Sequence, residues 1–377
     1  MRYGLVALAV LAAACASARP QYDRPLPEGT VALERVTDPA EIPDFSAGWK
    51  NRDAVIRAIE QSLAWLAKPS SRSRYPYLDI THERVVRSLE RLREILRSAQ
   101  DGREMDARIR REFDVYRSVG YDGKGTVYFT GYYEPIFEGS LERDERFRWP
   151  LYRRPPDLVS APDGTPLGRR LEDGTLVSWP PRAELERSGR LEGLELVWLA
   201  DRFDAYIVHV QGSAKIRLRD GRILEVGYAG KTDRPYRSVG MALVRDGKIR
   251  RDELSLDRLR RYFREHPEEL DRYLGVNESY VFFTEKPGGP YGSLNVPITP
   301  MATIATDKQV FPAGAAAFVV TRLGRSEWRG FALDQDTGGA IRSAGRCDIF
   351  IGTGEAAGAL AGRVGAEGRL YYLFVRQ

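Results

Sequence analysis

Asp307 in ATDKQVFPAG, Asp336 in DQDTGGAIRSAGRCDIF, and Asp348 twelve residues beyond Asp336 all fall within 42 residues near the carboxyl end of this chain. Aspartate is a poor strand former, because its short carboxylate competes for nearby backbone N–H groups, so each of the three needs a reason to be there. Glycines at 338, 339, 345, 352 and 354 separate apolar pairs such as Ala340-Ile341 and Ile349-Phe350. Short apolar pairs between glycine turns suit a compact, closed β structure that turns a few side chains inward. A carboxylate fixed there could act as an acid.

Cleavage of a glycosidic bond needs a proton donor at the leaving oxygen, supplied by a carboxyl whose pKa is raised by burial or by a neighbouring negative charge. Asp336 and Asp348 could form such a pair, each disfavouring the ionised form of the other if both face one groove. They could equally cap turns by accepting backbone N–H bonds, and spacing leaves both readings open. FTGYYEP (129–135) adds Tyr132, Tyr133 and Glu134 at a strand end; tyrosines suit the apolar faces and hydroxyl rims of sugar rings, or simply pack. VHVQGSAKIRL (208–218) offers Gln211 and Ser213 in what reads as a polar turn between apolar strands. YAGKTDRPYRSVG (228–240) is a loop crowded with Lys231, Asp233, Arg234, Tyr236 and Arg237.

Along the rest of the chain the apolar period changes three times. From about 51 to 119, Val55, Ile56, Ile59, Leu63 and Leu66, then Val85, Val86, Leu89, Leu92 and Leu96, recur at helical steps, which predicts two or three amphipathic helices. TVYFTGYYEP then begins a strand, while 137–190 reads as irregular. LELVWLADRFDAYIVHVQGSAKIRLRDGRILEVGYAG reads as several strands, with Asp220-Gly221 as a tight hairpin. A helical pair broken by Pro267 follows in 255–274, NESYVFF restores the strand pattern, and a final β segment runs from about 294 to 376.

With 377 residues, 42% of them hydrophobic, the chain can bury a large core and suits two domains. The 58 basic and 53 acidic residues give a net charge of +5, a slight lean towards an anionic partner. No basic run with interleaved aromatics points to nucleic acid. His82, His209 and His266 are scattered without ligand spacing, so no metal and no cofactor is expected. Residues 1–15, MRYGLVALAVLAAAC, have the build of an export signal, too short to span a membrane. Residues 16–48, rich in proline and polar residues, then read as a tether. Cys347 is the only other cysteine, and nothing in the chain argues for an oligomer.

FTGYYEP, VHVQGSAKIRL, YAGKTDRPYRSVG and NESYVFF resemble the membrane-bound lytic murein transglycosylase A family. The most specific stretch is GSLNVPITPMATIATDKQVFPAG followed by DTGGAIRSAGRCDIFIGTG. The resemblance covers most of 120–376. It implies a mainly β fold with amino-terminal helices: a double-psi β-barrel catalytic domain from 49–136 and 281–377, an inserted β domain at 137–280, and a groove between them. It implies non-hydrolytic cleavage of the β-1,4 bond between N-acetylmuramic acid and N-acetylglucosamine in peptidoglycan glycan strands, leaving a 1,6-anhydro end. Asp348 would be the single acid and then base, Asp336 its helper and Asp307 a support. Tyr132, Tyr133, Gln211, Ser213, Lys231 and Arg234 are the expected glycan contacts.

The amino terminus likewise resembles a lipoprotein signal, with Cys15 lipidated and the protein held at the periplasmic face of the outer membrane; an ordinary signal peptide and a soluble periplasmic protein is the other reading. The chain is expected to act as a monomer, with cell-wall synthesis proteins as further partners. Two positions depart from the family pattern: Ala12 replaces the usual leucine of the lipidation signal, and Cys347 stands where a polar or aromatic residue is expected. A hydrolase using Asp336 and Asp348 on water, and a non-catalytic peptidoglycan-binding lipoprotein, are the competing readings.

Overall fold

A computed structural model describes residues 20–377 apart from 163, 339 and 340, so the expected signal and Cys15 lie outside the described residues. The fold is mainly β with helices. Six strands close on themselves: β1 (Val127–Glu134), β2 (Thr303–Ala305), β3 (Ala316–Leu323), β4 (Ser326–Asp336), β5 (Arg346–Thr353) and β6 (Gly365–Val375). Around the ring the order is β1-β6-β3-β4-β2-β5, and β5 returns to β1. The β2–β4 and β5–β1 pairs are parallel and the other four antiparallel. Closure leaves the ring no free edge.

The predicted helices are α1 (Arg52–Leu66), α2 (His82–Ser98) and α3 (Gly102–Glu112). Thr81 caps α2 by accepting from Arg84 N at 3.1 Å, and Asp101 caps α3. Val55 and Ile59 of α1 and Val85, Leu89 and Leu92 of α2 are wholly buried in one core with Phe318 and Phe331 of the ring. The helical reading runs too far. Phe113–Ser118 is a strand on the outer half of β6, because Phe113 and Val115 fill that core at the strand period. Within the stretch read as a tether, Leu33–Arg35 pairs with Phe113–Ser118 and Phe45 is fully buried.

A second sheet has the order Val281–Glu285, Ile223–Lys231, Ser213–Arg217, Ile136–Ser140, Glu195–Leu199, Trp149–Tyr152. It has its own core, including Leu151, Val197, Val208, Ile216 and Phe283. The Asp220-Gly221 hairpin is present, with Gly221 at φ 83° and Arg217 opposite Ile223. The helices around Pro267, Leu256–Glu265 and Leu270–Leu274, are also present. Two expectations fail in this part. The stretch 137–190 is not simply irregular, since Leu158–Ser160, Pro166–Arg170 and Leu176–Val177 form a small sheet. And Arg202–Gln211, read as strand, is a helix: Asp201 accepts from Asp204 N and Gly212, at φ 79°, ends it. These two caps outweigh the β-branched Ile207, Val208 and Val210.

Candidate active site

Strand register brings the carboxylates together. Ala305 of β2 lies opposite Asp336 in the parallel β4 and opposite Asp348 in the antiparallel β5, and Asp348 lies opposite Thr130 in β1. Register partners share a face, so Asp336, Ala305, Asp348 and Thr130 form one row across four strands. At the usual strand spacing the two aspartate backbones are roughly 10 Å apart. A bulge sets this up. The β2–β4 register shifts between Ile304 and Ala305, passing over Gln335. Gln335 is fully buried; its amide donates to Ala58 O at 2.7 Å and Ser62 Oγ at 3.0 Å in α1. Pinning the extra residue to the helix re-aims Asp336, a common use of bulges beside active sites.

The carboxylates differ in what remains free. Asp336 has a partner on each oxygen: Oδ1 accepts from Ser293 N and Thr337 N, each at 2.8 Å, and Oδ2 accepts from the Tyr132 hydroxyl at 2.8 Å. Asp307, 5% exposed, accepts from Gln309 N at 3.0 Å on Oδ1 and from Ser343 N at 2.8 Å on Oδ2. Asp348 instead has both partners on Oδ1, the Thr130 hydroxyl and Arg346 Nη2, the latter at 3.1 Å. Its side chain is 19% exposed, and Oδ2 has no protein hydrogen bond among the described residues. Burial pushes the Asp348 carboxyl up, while Arg346 and the Thr130 hydroxyl pull it down. Burial also raises Asp336, opposed by Tyr132, by the Thr337 and Ser293 amides and by Lys308. Desolvation, and not the expected mutual repulsion of the two carboxylates, is thus what raises Asp348.

Sequence reasoning missed a fourth carboxylate. Asp334 is completely buried and pairs with Lys308, accepting also from Thr306 Oγ1 and the Tyr372 hydroxyl, each at 2.7 Å. Lys308 also donates to the Asp336 carbonyl, so this pair underlies the row. The signal lay in TIATDK and FALD, where Lys308 follows the strand Thr303–Ala305 by three residues and Asp334 directly follows Phe331, Ala332 and Leu333. Glu134, at the end of β1, is 2% exposed and pushed up to about 7 by burial, with Thr353 Oγ1 donating at 2.9 Å and Lys215 Nζ at 4.0 Å.

The expected glycan contacts are spread. Tyr132 is spent on Asp336 and packs on Phe350 with ring centroids 5.2 Å apart. Tyr133 is half-buried, its ring tight against Gly358, where a Cβ would sit 2.8 Å away. Gln211 ends a helix and Ser213 starts the next strand, both half-buried. Lys231 is half-buried and lowered by burial and by Arg342. Arg234 Nε donates to the Trp179 carbonyl, while Asp233 accepts from Trp179 N at 2.9 Å, so these two tie down their own loop.

Comparison with known proteins gives a consistent result. The family model described as the MltA specific insert domain matches residues 128–284, and that described as the 3D domain matches 302–374. The chain is 32% identical over 295 residues to membrane-bound lytic murein transglycosylase A of Escherichia coli strain K12, covering 75% of this chain and 74% of that protein. The crystal structure of membrane-bound lytic murein transglycosylase from Agrobacterium tumefaciens superposes with a TM-score of 0.78 at 29% identity, covering 92% of this chain and 98% of the other. The lytic transglycosylase LtgG of Burkholderia pseudomallei aligns with a TM-score of 0.56 at 30% identity, covering 93% and 97%.

Proposed function

This chain belongs to the membrane-bound lytic murein transglycosylase A family, and from that premise we propose that it is a peptidoglycan lytic transglycosylase in which Asp348 is the acid and then the base. The observation that carries the assignment is that Asp348 alone among Asp307, Asp334, Asp336 and Asp348 keeps an oxygen without a protein partner among the described residues. Burial keeps it protonated to higher pH than an ordinary aspartate.

In the proposed reaction Oδ2 gives its proton to the departing O4 of the β-1,4 bond between N-acetylmuramic acid and N-acetylglucosamine. Thr130 and Arg346 then stabilise the new carboxylate through Oδ1. That carboxylate takes the proton of the muramoyl C6 hydroxyl as this oxygen attacks C1, which closes the 1,6-anhydro ring and restores the acid. Intramolecular attack removes the need for a second carboxylate to activate water. Asp336 supplies negative charge beside the oxocarbenium-like centre and positions Tyr132. Asp307 orders the turn through Ser343. Tyr133, Gln211, Ser213, Lys231 and Arg234 are assigned to the glycan strand, the two cations to its carboxylates.

Two parallel pairings inside a closed ring of six strands support the double-psi description of the barrel. Separate cores support division into a barrel domain and an inserted β domain with the groove between them, but at other bounds than 49–136, 137–280 and 281–377: Ile136–Ser140 and Val281–Glu285 both pair in the second sheet, and Leu33 and Phe45 pack in the barrel core. Among the described residues no helix is long and apolar enough to cross a membrane. We assign attachment at the periplasmic face of the outer membrane to lipidation of Cys15, with cell-wall synthesis proteins as partners of a monomer.

The decisive test is Asp348→Asn on purified murein sacculi, followed by mass spectrometry. The wild type is expected to release products lighter by one water than hydrolytic muropeptides. The variant should still bind sacculi and lose on the order of a thousandfold or more in release. Undiminished release by Asp348→Asn would refute the acid, and reducing ends in the wild-type digest would favour a hydrolase.

A further inference from the structure

The segment read from sequence as a tether reaches the catalytic row. Tyr22 stacks on Tyr128 of β1 with ring centroids 4.5 Å apart and planes 15° apart, and meets Tyr121 edge-on at 4.8 Å. Its hydroxyl donates to Glu367 Oε1 of β6 at 2.7 Å. The backbone is equally close, since a Cβ at Gly345 would collide with the Tyr22 carbonyl oxygen. Tyr128 is the register partner of Arg346, and the Arg346 guanidinium lies 5.4 Å from the Tyr128 ring centroid. Arg346 Nη2 in turn reaches Asp348 Oδ1 and Thr130 Oγ1, both at 3.1 Å. Arg346 Nε is buried without a hydrogen-bond partner. The guanidinium is therefore held by Nη2 and by the aromatic ring, and Tyr22 lies against that ring.

Resting on the reading of Asp348 as the acid, we propose that the segment around Tyr22 is a positioning element for it, holding Tyr128 against Arg346 and so Arg346 against Asp348 Oδ1. The contact chain is continuous from Glu367 through Tyr22, Tyr128 and Arg346 to Asp348. Tyr22 touches no reacting atom; it acts through the two residues between. Arg346 opposes the burial of Asp348. Loosening it lets desolvation dominate, so the acid stays protonated to higher pH while its carboxylate form loses a counterion.

The test is the pH dependence of murein cleavage at subsaturating substrate, with the full-length protein, for wild type, Tyr22→Ala, Tyr22→Phe and Asp348→Asn. Tyr22→Ala should move the alkaline limb up by about half a pH unit, a fraction of what a full opposite charge contributes. Tyr22→Phe keeps the ring and should hold the limb where the wild type has it. In an Arg346→Met background, Tyr22→Ala should add no further shift, because both changes act through one contact. An unmoved limb in Tyr22→Ala, with or without a lower melting temperature, overturns the proposal and leaves the segment merely packed on the barrel. If Asp348→Asn is inert in that case, the acid assignment survives; if Asp348→Asn is fully active, the acid assignment itself has failed.

Discussion

Replacing Lys308 by methionine should destabilise the barrel more than any comparable change in the catalytic row. Asp334 is completely buried, and the Lys308 side chain is only 10% exposed. Without the ammonium, Asp334 keeps two neutral donors, Thr306 and Tyr372. Removing one partner of a buried ion pair costs about 3–5 kcal/mol, because an uncompensated charge stays inside. In a unit of this size each kcal/mol is worth about 2–4 °C, so the melting temperature should fall on the order of 10 °C. Thermal unfolding followed by circular dichroism measures this directly. The double variant Lys308→Met/Asp334→Asn, which removes the stranded charge, should recover more than half of the loss. A single variant that melts with the wild type, or a double variant that melts below the single, would refute the reasoning.

Three further outcomes follow from the same geometry. Thr130→Val removes the hydroxyl that donates to Asp348 Oδ1 and so raises that carboxyl further; the alkaline limb of the pH–rate profile should climb by about one unit, and Thr130→Ser should bring it back. Glu134 has a folded pKa of about 7 against an ordinary 4.5, so its contribution is present below 4.5 and is lost as pH rises through 7. Relative to Glu134→Gln, the wild type should therefore lose about 3 kcal/mol between pH 4.5 and 8 in chemical denaturation, and parallel stability curves would show that Glu134 does not titrate there. Tyr132→Phe strips the donor from Asp336 Oδ2, and turnover should fall by about tenfold with binding to sacculi retained; an unchanged initial rate would remove Asp336 from the charge-stabilising role.

What could be read from the chain was local. The strand 127–134 announces itself by β-branched and aromatic residues, and the 213–231 hairpin by Asp220-Gly221. Helix 202–211 was hidden because Ile207, Val208 and Val210 favour strands, and only its caps betray it. The helix Glu355–Ala361 was passed over although EAAGALA has the composition of one. The row Asp336–Ala305–Asp348–Thr130 depends on pairings between residues up to about two hundred positions apart and on a bulge at Gln335, which no window on the sequence reports. For the same reason Asp334 was passed over, and Tyr132 looked free to stack on sugar.

The last strand, 365–375, closes the ring by pairing with both β1 and β3. The ring can therefore seal around the carboxylates of the row only when strand 365–375 is in place, and that strand follows all of them in the sequence. Such distant pairings form late. A chain cut before strand 365–375 would hold every carboxylate of the row and lack the closed ring that sets their geometry.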